Sequence, residues 1–197
     1  MREFIKALLR GVALLVVAPI LLWYFAWSLI LGHDRMVESC SQALALVPGL
    51  SGQYLRRAFL ARTLAECGDS AVIGFGTVFS RTGARIGARA YIGPLCTIGL
   101  AHIKDDALVA AGVHIPSGPR THGIDPSIPI RDQRGDARLV TIGRGAWIGN
   151  NAVVMADVGD GTIVGAGAVV TSPIPDRVIA AGVPARVVRA RGDDETL

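Results

Sequence analysis

The chain has 197 residues, of which 51% are hydrophobic, and a formal net charge of +4 at neutral pH. This length allows one ordinary domain with an additional segment. The arginines are scattered and form no basic stripe with aromatic residues, which disfavours nucleic acid as a partner; anionic lipid or a phosphorylated ligand suits the charge better. Cys40, Cys67 and Cys96 are widely and irregularly spaced, which fits neither a disulfide framework nor a zinc site. We expect them to be small buried residues.

Residues 1–33 are predicted to anchor the chain to a membrane. Residues 11–32 carry no charge, and about 20 such residues suffice to cross the hydrocarbon core as a helix. The run is too long for the apolar part of a signal peptide and lacks a small-x-small cleavage site. Pro19 removes a backbone donor within the run and can kink or break the helix.

Residues 34–69 are predicted to form a helical, membrane-proximal connector. Pro48-Gly49 interrupts it, and Gly68 fits a helix stop. The segment 54–60 mixes apolar and basic residues, as a helix that lies on a membrane surface would. Its apolar residues form no single stripe, so a helix packed on the protein fits the segment equally well.

From about residue 70 the sequence repeats with a period of six. Aliphatic-glycine pairs mark the repeat at Ile86-Gly87, Ile92-Gly93, Ile98-Gly99, Ile142-Gly143, Ile148-Gly149, Val158-Gly159 and Val164-Gly165. This period fits neither an α-helix nor a heptad coil, but it is typical of a parallel β-helix. The aliphatic side chains would stack inside a narrow shaft at about 4.8 Å per coil, while glycine permits sharp turns between strands. Three hexads would close one triangular coil, so residues 70–173 should form about four to five coils.

Two segments depart from the repeat. Residues 116–139 are polar, contain prolines and are out of register, which predicts a loop that leaves the prism. The end of the array, SPIPDRVIAAGVPARVVRA, contains three prolines and several basic residues. We therefore assign residues 174–197 to a cap over the last open coil and a tail.

The segment TIGRGAWIGNNAVVMADVGDGTIVGAGAVVTSPIPDRVIAAGVPARVV resembles the C-terminal half of hexapeptide-repeat acyltransferases. The similarity is greatest to the galactoside and maltose O-acetyltransferase branch, together with exopolysaccharide and lipopolysaccharide O-acetyltransferases, and covers about residues 70–190. It implies an all-β fold, a left-handed parallel β-helix, which is an exception to the usual right-handed crossover. It also implies a homotrimer with active sites between subunits, acetyl-CoA as the donor and no metal.

Acyl transfer from a thioester to a hydroxyl needs a base to take the hydroxyl proton, and histidine has a suitable pKa. His122 is the one histidine in the loop 116–139, and Thr121-His122-Gly123 resembles the family motif that carries the catalytic histidine. His122 is therefore the predicted general base. Asp125 could orient its imidazole, although a local loop contact fits as well. His114 is expected to pack or to donate a hydrogen bond beside the site, and Arg131 could bind acceptor hydroxyls or phosphates.

The resemblance also implies a donor site. Six residues match the family's coenzyme A site: Trp147, Asn150, Ala166, Thr171, Arg186 and Arg189. The ring of Trp147 would pack on the pantetheine arm. Arg186 and Arg189 match basic residues near the phosphates, where a guanidinium fork suits phosphate oxygens; a solvated basic tail is the alternative. Ser172 replaces the lysine that often follows the threonine, which removes one expected cation.

The predicted acceptor is a sugar hydroxyl, in surface polysaccharide or lipid-linked glycan biosynthesis. The coil YIGPLCTIG lacks the asparagine and acidic residues that bind the sugar in the family, so the identity of the acceptor does not transfer. Three alternatives stay open: an N-acyltransferase for a nucleotide-linked amino sugar, a γ-carbonic-anhydrase-like zinc enzyme, and a non-catalytic membrane scaffold. For the zinc enzyme, the spacing of His102, His114 and His122 does not match that family.

Acetyl-CoA is cytosolic, so the implied donor places the domain on the cytoplasmic side of the inner membrane. A single span would place it outside, because Arg2, Lys6 and Arg10 precede the apolar run and basic flanks stay in the cytoplasm. A bent, re-entrant or in-plane helix would return the chain to the cytoplasmic side. A single span is the rival arrangement.

Overall fold

The computed structural model describes the backbone of residues 2–192 and the side chains of residues 6–192; the end of the predicted tail and the side chain of Arg2 lie outside this range. Three helices come first: α1 (Arg2–Leu31), α2 (His33–Ala45) and α3 (Gly49–Thr63). Short strands follow and stack as the three faces of a prism.

Face A contains β1 (Glu66–Cys67), β4 (Arg85–Ile86), β7 (Ala101–Ile103) and β10 (Val140–Ile142). Face B contains β2 (Val72–Ile73), β5 (Tyr91–Ile92), β8 (Leu108–Val109), β11 (Trp147–Ile148), β13 (Ile163–Val164), β15 (Val178–Ala181) and β16 (Arg186–Ala190). Face C contains β3 (Val78–Phe79), β6 (Thr97–Ile98), β9 (His114–Ile115), β12 (Val153–Val154) and β14 (Val169–Val170). Adjacent strands on each face are parallel, except that β16 returns antiparallel to β15.

The hexad pattern explains the prism because burial alternates within each strand. Ile86 and Ile92 are fully buried, whereas Arg85 and Tyr91 before them face solvent. Paired residues in successive coils keep the same orientation, so Ile92 stacks on Val109 of the next coil. Face C has five strands among the described residues, so the prism has five coils, as the repeat predicted.

Glycine is required where one coil passes directly over the next. A Cβ built on Gly93 would lie 2.7 Å from the carbonyl carbon of Ala110, closer than real Cβ contacts. The coils therefore pack at the ladder spacing only if this corner carries no side chain.

Helices α2 and α3 close the N-terminal end of the prism, where the first coil has a free hydrogen-bonding edge. Helix α2 packs against β3, and the Phe79 amide donates to Ser41 Oγ (3.0 Å). Helix α3 packs against β1 and β2, and the buried Arg56 donates from Nε to the Ile73 carbonyl (3.1 Å). Arg56 Nη1 donates to the carbonyls of Leu44 (3.2 Å) and Val47 (2.7 Å). One arginine thus joins both helices to the edge of face B.

Helix α1 packs on α2 and α3 as an outer layer. It runs without interruption through Pro19, so the proline does not break it. The chain reverses instead at Gly32, whose φ of 87° is a conformation that glycine adopts without strain. The helix is long and apolar enough over Lys6–Leu31 to cross a membrane.

We expect Arg56→Met to lower the free energy of unfolding by about 3 kcal/mol, because three carbonyls lose a buried donor. Arg62→Met is the matched control, since Arg62 lies on the same helix and is exposed. Urea unfolding in detergent micelles measures both. Equal midpoints for the two variants would contradict this role of Arg56.

Candidate active site

The segment between β9 and β10, residues 116–139, leaves the prism as an ordered loop. An antiparallel bridge joins its two arms, with the Asp136 amide donating to the Arg120 carbonyl at 2.7 Å. Inside the loop, Gln133 accepts from the Asp125 amide (2.8 Å) and donates to the carbonyls of Asp125 (2.7 Å) and Ile128 (2.6 Å). One side chain therefore fixes the conformation of the loop that carries His122.

His122 is exposed on this loop, and its neighbour Thr121 lines a pocket on face C. The Asp125 carboxylate accepts hydrogen bonds from Ser127, from the amide at 2.9 Å and from Oγ at 2.6 Å. These bonds hold the pKa of Asp125 below its ordinary value. Asp125 thus makes the local turn contact, the second of its two predicted roles, because a carboxylate readily binds the amide two residues ahead. Arg131 is exposed, and its Nε lies 3.7 Å from Asp132 Oδ1.

A pocket of about 350 Å³ lies on face C beside the base of the loop. It is lined by residues from three parts of the chain, which include Glu38, Arg81, Thr97, His114, Ser117 and Thr121. His114 points outward from β9, and its Nδ1 lies 2.6 Å from Thr97 Oγ1. The threonine therefore orients the imidazole, which leaves Nε2 available to a ligand.

Several pocket residues escaped the sequence reasoning, among them Thr97, Arg81 and Glu38. Thr97 pairs directly with His114 in the parallel ladder, so aligning the hexads by register would have found it. Arg81 and Glu38 come to the pocket through the packing of α2 on the first coil. Arg81 is held by Asp34 at 3.0 Å. A contact between a helix and a distant coil leaves no trace in the six-residue repeat, so the sequence does not predict it.

Three of the predicted donor residues lie near one edge of the prism. Trp147 points outward from face B and is 49% exposed. Asn150 and Ala166 occupy the corner between faces B and C, one coil apart, where the Gly167 amide donates to the Asn150 carbonyl (2.8 Å). Thr171 lies at the following corner, beyond β14, so face C separates it from the other three.

The predicted phosphate-binding arginines lie in β16 at the last coil of face B. Arg186 is exposed and donates to the Ala185 carbonyl at 2.9 Å. Arg189 is half-buried opposite Ile179 of β15. The two cations therefore lie on the same face as Trp147, three strands away.

The histidines do not converge as a zinc site would require. His102 lies within β7 on face A, paired with Thr141. His114 lies on face C and His122 in the loop. Among the described side chains, residues 6–192, no group of three or more His, Cys, Asp or Glu could hold a metal ion.

The comparisons with known proteins agree with this architecture. The bacterial transferase hexapeptide (six repeats) family model matches residues 140–172. The chain is 48% identical over 56 residues to galactoside O-acetyltransferase of Escherichia coli K12, covering 27% of this chain and 28% of that protein. It is 33% identical over 97 residues to WbbJ of the same organism, named for lipopolysaccharide biosynthesis O-acetyl transfer, covering 44% and 48%. The chain thus spans less than half the length of either relative.

A galactoside acetyltransferase in complex with coenzyme A has the same fold as this chain, with a TM-score of 0.71 at 28% identity over 81% of this chain and 82% of that one. The chain is similar to the hexapeptide-repeat acetyltransferases. The prediction of a left-handed parallel β-helix is confirmed. The candidate donor residue Trp147 lies on face B and the candidate acceptor residue His114 on face C, and these two faces meet at the corner that contains Asn150 and Ala166.

We expect Gln133→Leu to loosen the loop without unfolding the prism, because it removes three hydrogen bonds. We expect the closed loop to lose about 1.4 kcal/mol of stability relative to the open loop, which makes the open population about tenfold larger. Trypsin should therefore cut after Arg131 or Arg134 about tenfold faster. Gln42→Leu, an exposed change on α2, serves as control; equal cleavage rates for both variants would show that Gln133 does not hold the loop.

Proposed function

We propose that the protein transfers an acetyl group from acetyl-CoA to a sugar hydroxyl. The observation that carries this proposal is the edge formed by Trp147, Asn150 and Ala166 in a chain similar to a galactoside acetyltransferase solved with coenzyme A. An exposed indole offers a flat apolar surface to the pantetheine arm, and corner backbone groups offer hydrogen bonds to its amides. Arg186 and Arg189 supply positive charge for the phosphates of the donor.

His122 acts as the general base in this proposal. The acceptor hydroxyl oxygen bonds to the acetyl carbonyl carbon while its proton moves to the imidazole. The carbon–sulfur bond then breaks, and the coenzyme A thiolate leaves and takes up the proton. The ordered loop supports this role, since a base must be held in a fixed position to act on a weak nucleophile.

A homotrimer with sites between copies is supported by two exposed apolar surfaces. In the loop, Ile124 is 92% exposed and Ile130 is 65% exposed. On face B, Tyr91, Leu108 and Trp147 form an exposed column in successive coils. Two different apolar patches on one chain suit a head-to-tail contact, which closes into a ring. Such a ring would bring His122 of one copy beside Trp147 of the next.

The pocket on face C is the proposed acceptor site, with His114 and Thr97 as polar groups for hydroxyls. Its rim includes Arg81, which follows β3 in the first coil, and Glu38 on α2, the helix that packs against the apolar helix α1. A sugar attached to a membrane lipid would meet the pocket from this side. We therefore place the protein at the cytoplasmic face of the inner membrane, acting on a lipid-linked glycan in surface polysaccharide biosynthesis; the similarity to WbbJ supports this context.

Mass spectrometry of the host's surface glycan tests the proposal directly. Deletion of the protein should remove an acetyl ester, and mild alkali should remove the same group from the wild-type glycan. A missing amide-linked acetyl group that resists mild alkali would identify an amine acceptor instead. An unchanged glycan would contradict the assignment.

His122→Ala should lower kcat at least about 100-fold, because general-base catalysis is typically worth this much. The KM for acetyl-CoA should change little, since His122 acts on the acceptor. His102→Ala on face A is the matched control and should retain activity. Coenzyme A release with simple glycosides as acceptor probes gives both constants. A rise in KM without a fall in kcat would remove His122 from the role of base.

Arg186→Ala should weaken the binding of coenzyme A about tenfold, as expected for one lost charge-assisted hydrogen bond. The deficit should shrink as salt rises, because ions screen the exposed charge in the native protein. Titration calorimetry at low and high salt measures this, with the exposed Arg177→Ala as control. An equal effect of both substitutions would indicate a general loss of positive charge rather than a phosphate contact.

A further inference from the structure

Helix α1 packs along one side against α2 and α3. Its buried residues recur every three to four positions and form one stripe: Ala13, Val17, Leu21, Tyr24 and Ser28. Tyr24 packs edge-on against Phe59 of α3 with ring centroids 5.7 Å apart, and its hydroxyl lies 3.2 Å from His33 Nδ1. The helix is therefore part of the folded domain and does not project from it.

The two ends of α1 lie at different corners of the first coil. At its N-terminal end, Lys6 and Arg10 line a groove of about 270 Å³ together with Arg57 and Asp69, which lie 3.3 Å apart. This groove adjoins the corner between β1 and β2. Helix α1 thus begins above one corner of the prism.

Beyond the C-terminal end of α1, Asp34 accepts hydrogen bonds from the Thr82 amide (2.9 Å) and hydroxyl (2.8 Å), next to its ion pair with Arg81. Partial burial raises the pKa of Asp34, but these bonds outweigh it, so the net pKa is below the ordinary value and the carboxylate stays charged. The contact lies at the corner between β3 and β4. Since the ends of α1 adjoin different corners, the helix lies across the closed end of the prism.

The outer side of α1 is apolar, and none of the residues that the structure describes covers it. Only 22% of the most apolar 18-residue stretch within Lys6–Leu31 is buried. Exposed large side chains run along its length and include Leu15, Leu22, Trp23, Trp27, Leu29 and Ile30. Tryptophan is typical of the membrane–water interface, where an apolar ring and a polar N–H are both satisfied.

Basic residues stand at both ends of this apolar surface. Lys6 and Arg10 lie at one end, and the exposed Arg35 lies just past the other. A surface that is apolar in the middle and cationic at both ends complements a bilayer with anionic headgroups. A second copy of the chain would present the same cations and repel them.

A perpendicular span conflicts with the packing. Helices α2 and α3 lie against α1, so crossing the bilayer would carry both of them, and charged residues such as Glu38 on α2, toward the hydrocarbon. Each charge at the bilayer centre costs about 2.5–3.5 kcal/mol. Detaching α1 from α2 and α3 would avoid this cost but would expose Phe59 and the other side chains that α1 buries.

We infer that α1 lies in the plane of the membrane, with its outer side in the headgroup and acyl boundary of one leaflet and the prism on the same side as both of its ends. A helix placed in this way sinks about 5–10 Å into the bilayer. The arrangement keeps the basic N-terminal end and the β-helix in one compartment, as the positive-inside rule and a cytosolic donor both require. It does not depend on the acetyl-transfer activity.

Impermeant maleimide labelling in sealed membrane vesicles tests this arrangement with the full chain. Cysteines are introduced one at a time by Arg2→Cys, at the start of α1, and by Gln42→Cys, on α2 after it. The wild-type chain is the control, because Cys40 and Cys96 are buried and burial raises the pKa of the Cys67 thiol to about 12. An in-plane helix predicts that both positions label from the same side, in inverted vesicles if that side is cytoplasmic. Labelling from opposite sides would establish a single span and overturn the inference.

Tryptophan depth gives a second measurement. In a background of Trp23→Phe, Trp27→Phe and Trp147→Phe, single tryptophans replace Leu15, Leu22 or Leu29, which share one side of the helix. Lipids brominated at different depths quench them in phosphatidylglycerol–phosphatidylethanolamine vesicles. The in-plane helix predicts one shallow depth for all three. A spanning helix predicts steps of about 10 Å between successive positions. Absence of quenching at every position would show that the surface is covered by protein and would also overturn the inference.

Discussion

The stacking of aliphatic side chains inside the prism is the constraint on which the rest of the structure depends. Because Ile92 must lie on Val109 at the spacing of a parallel ladder, each residue before such a position is forced outward in the same register. The outward residues thus form straight columns, one residue per coil. Thr97 and His114 belong to one column, and Leu108 and Trp147 to another. A chain that builds the shaft therefore builds the columns of its candidate site as a direct consequence.

A stacked prism has two open ends, and the way this chain closes the first end connects its fold to its location. Free backbone groups of the first coil would be costly without partners. Arg56 and Ser41 supply those partners from α3 and α2. Closing the end with two helices creates a platform, and α1 packs on this platform while its other side stays apolar. The N-terminal helices that close the prism thus also provide the surface that we place on the membrane, next to the proposed acceptor pocket.

The sequence predicted most of the prism because a period of six is a local signal that each coil repeats. It also predicted the loop that carries His122, since that segment breaks the period, and strands flank it at Ile115 and Val140. Contacts between distant segments left no such signal. The insertion of Arg56 into the first coil and the approach of Glu38 and Arg81 to the pocket depend on how two helices pack. The position of His102 within β7 could not be counted from the hexads, because this strand follows a shortened step of the repeat.

The central claim is that His122 of one copy serves a donor bound against Trp147 of another. Mixing subunits tests it most directly: His122→Ala and Trp147→Ala chains are first assayed alone, then unfolded together, refolded as mixed oligomers and assayed for coenzyme A release. If sites form between copies, about a quarter of them regain both native side chains, and activity should return to about that fraction of the wild-type value. A mixture as inactive as either parent would contradict the account.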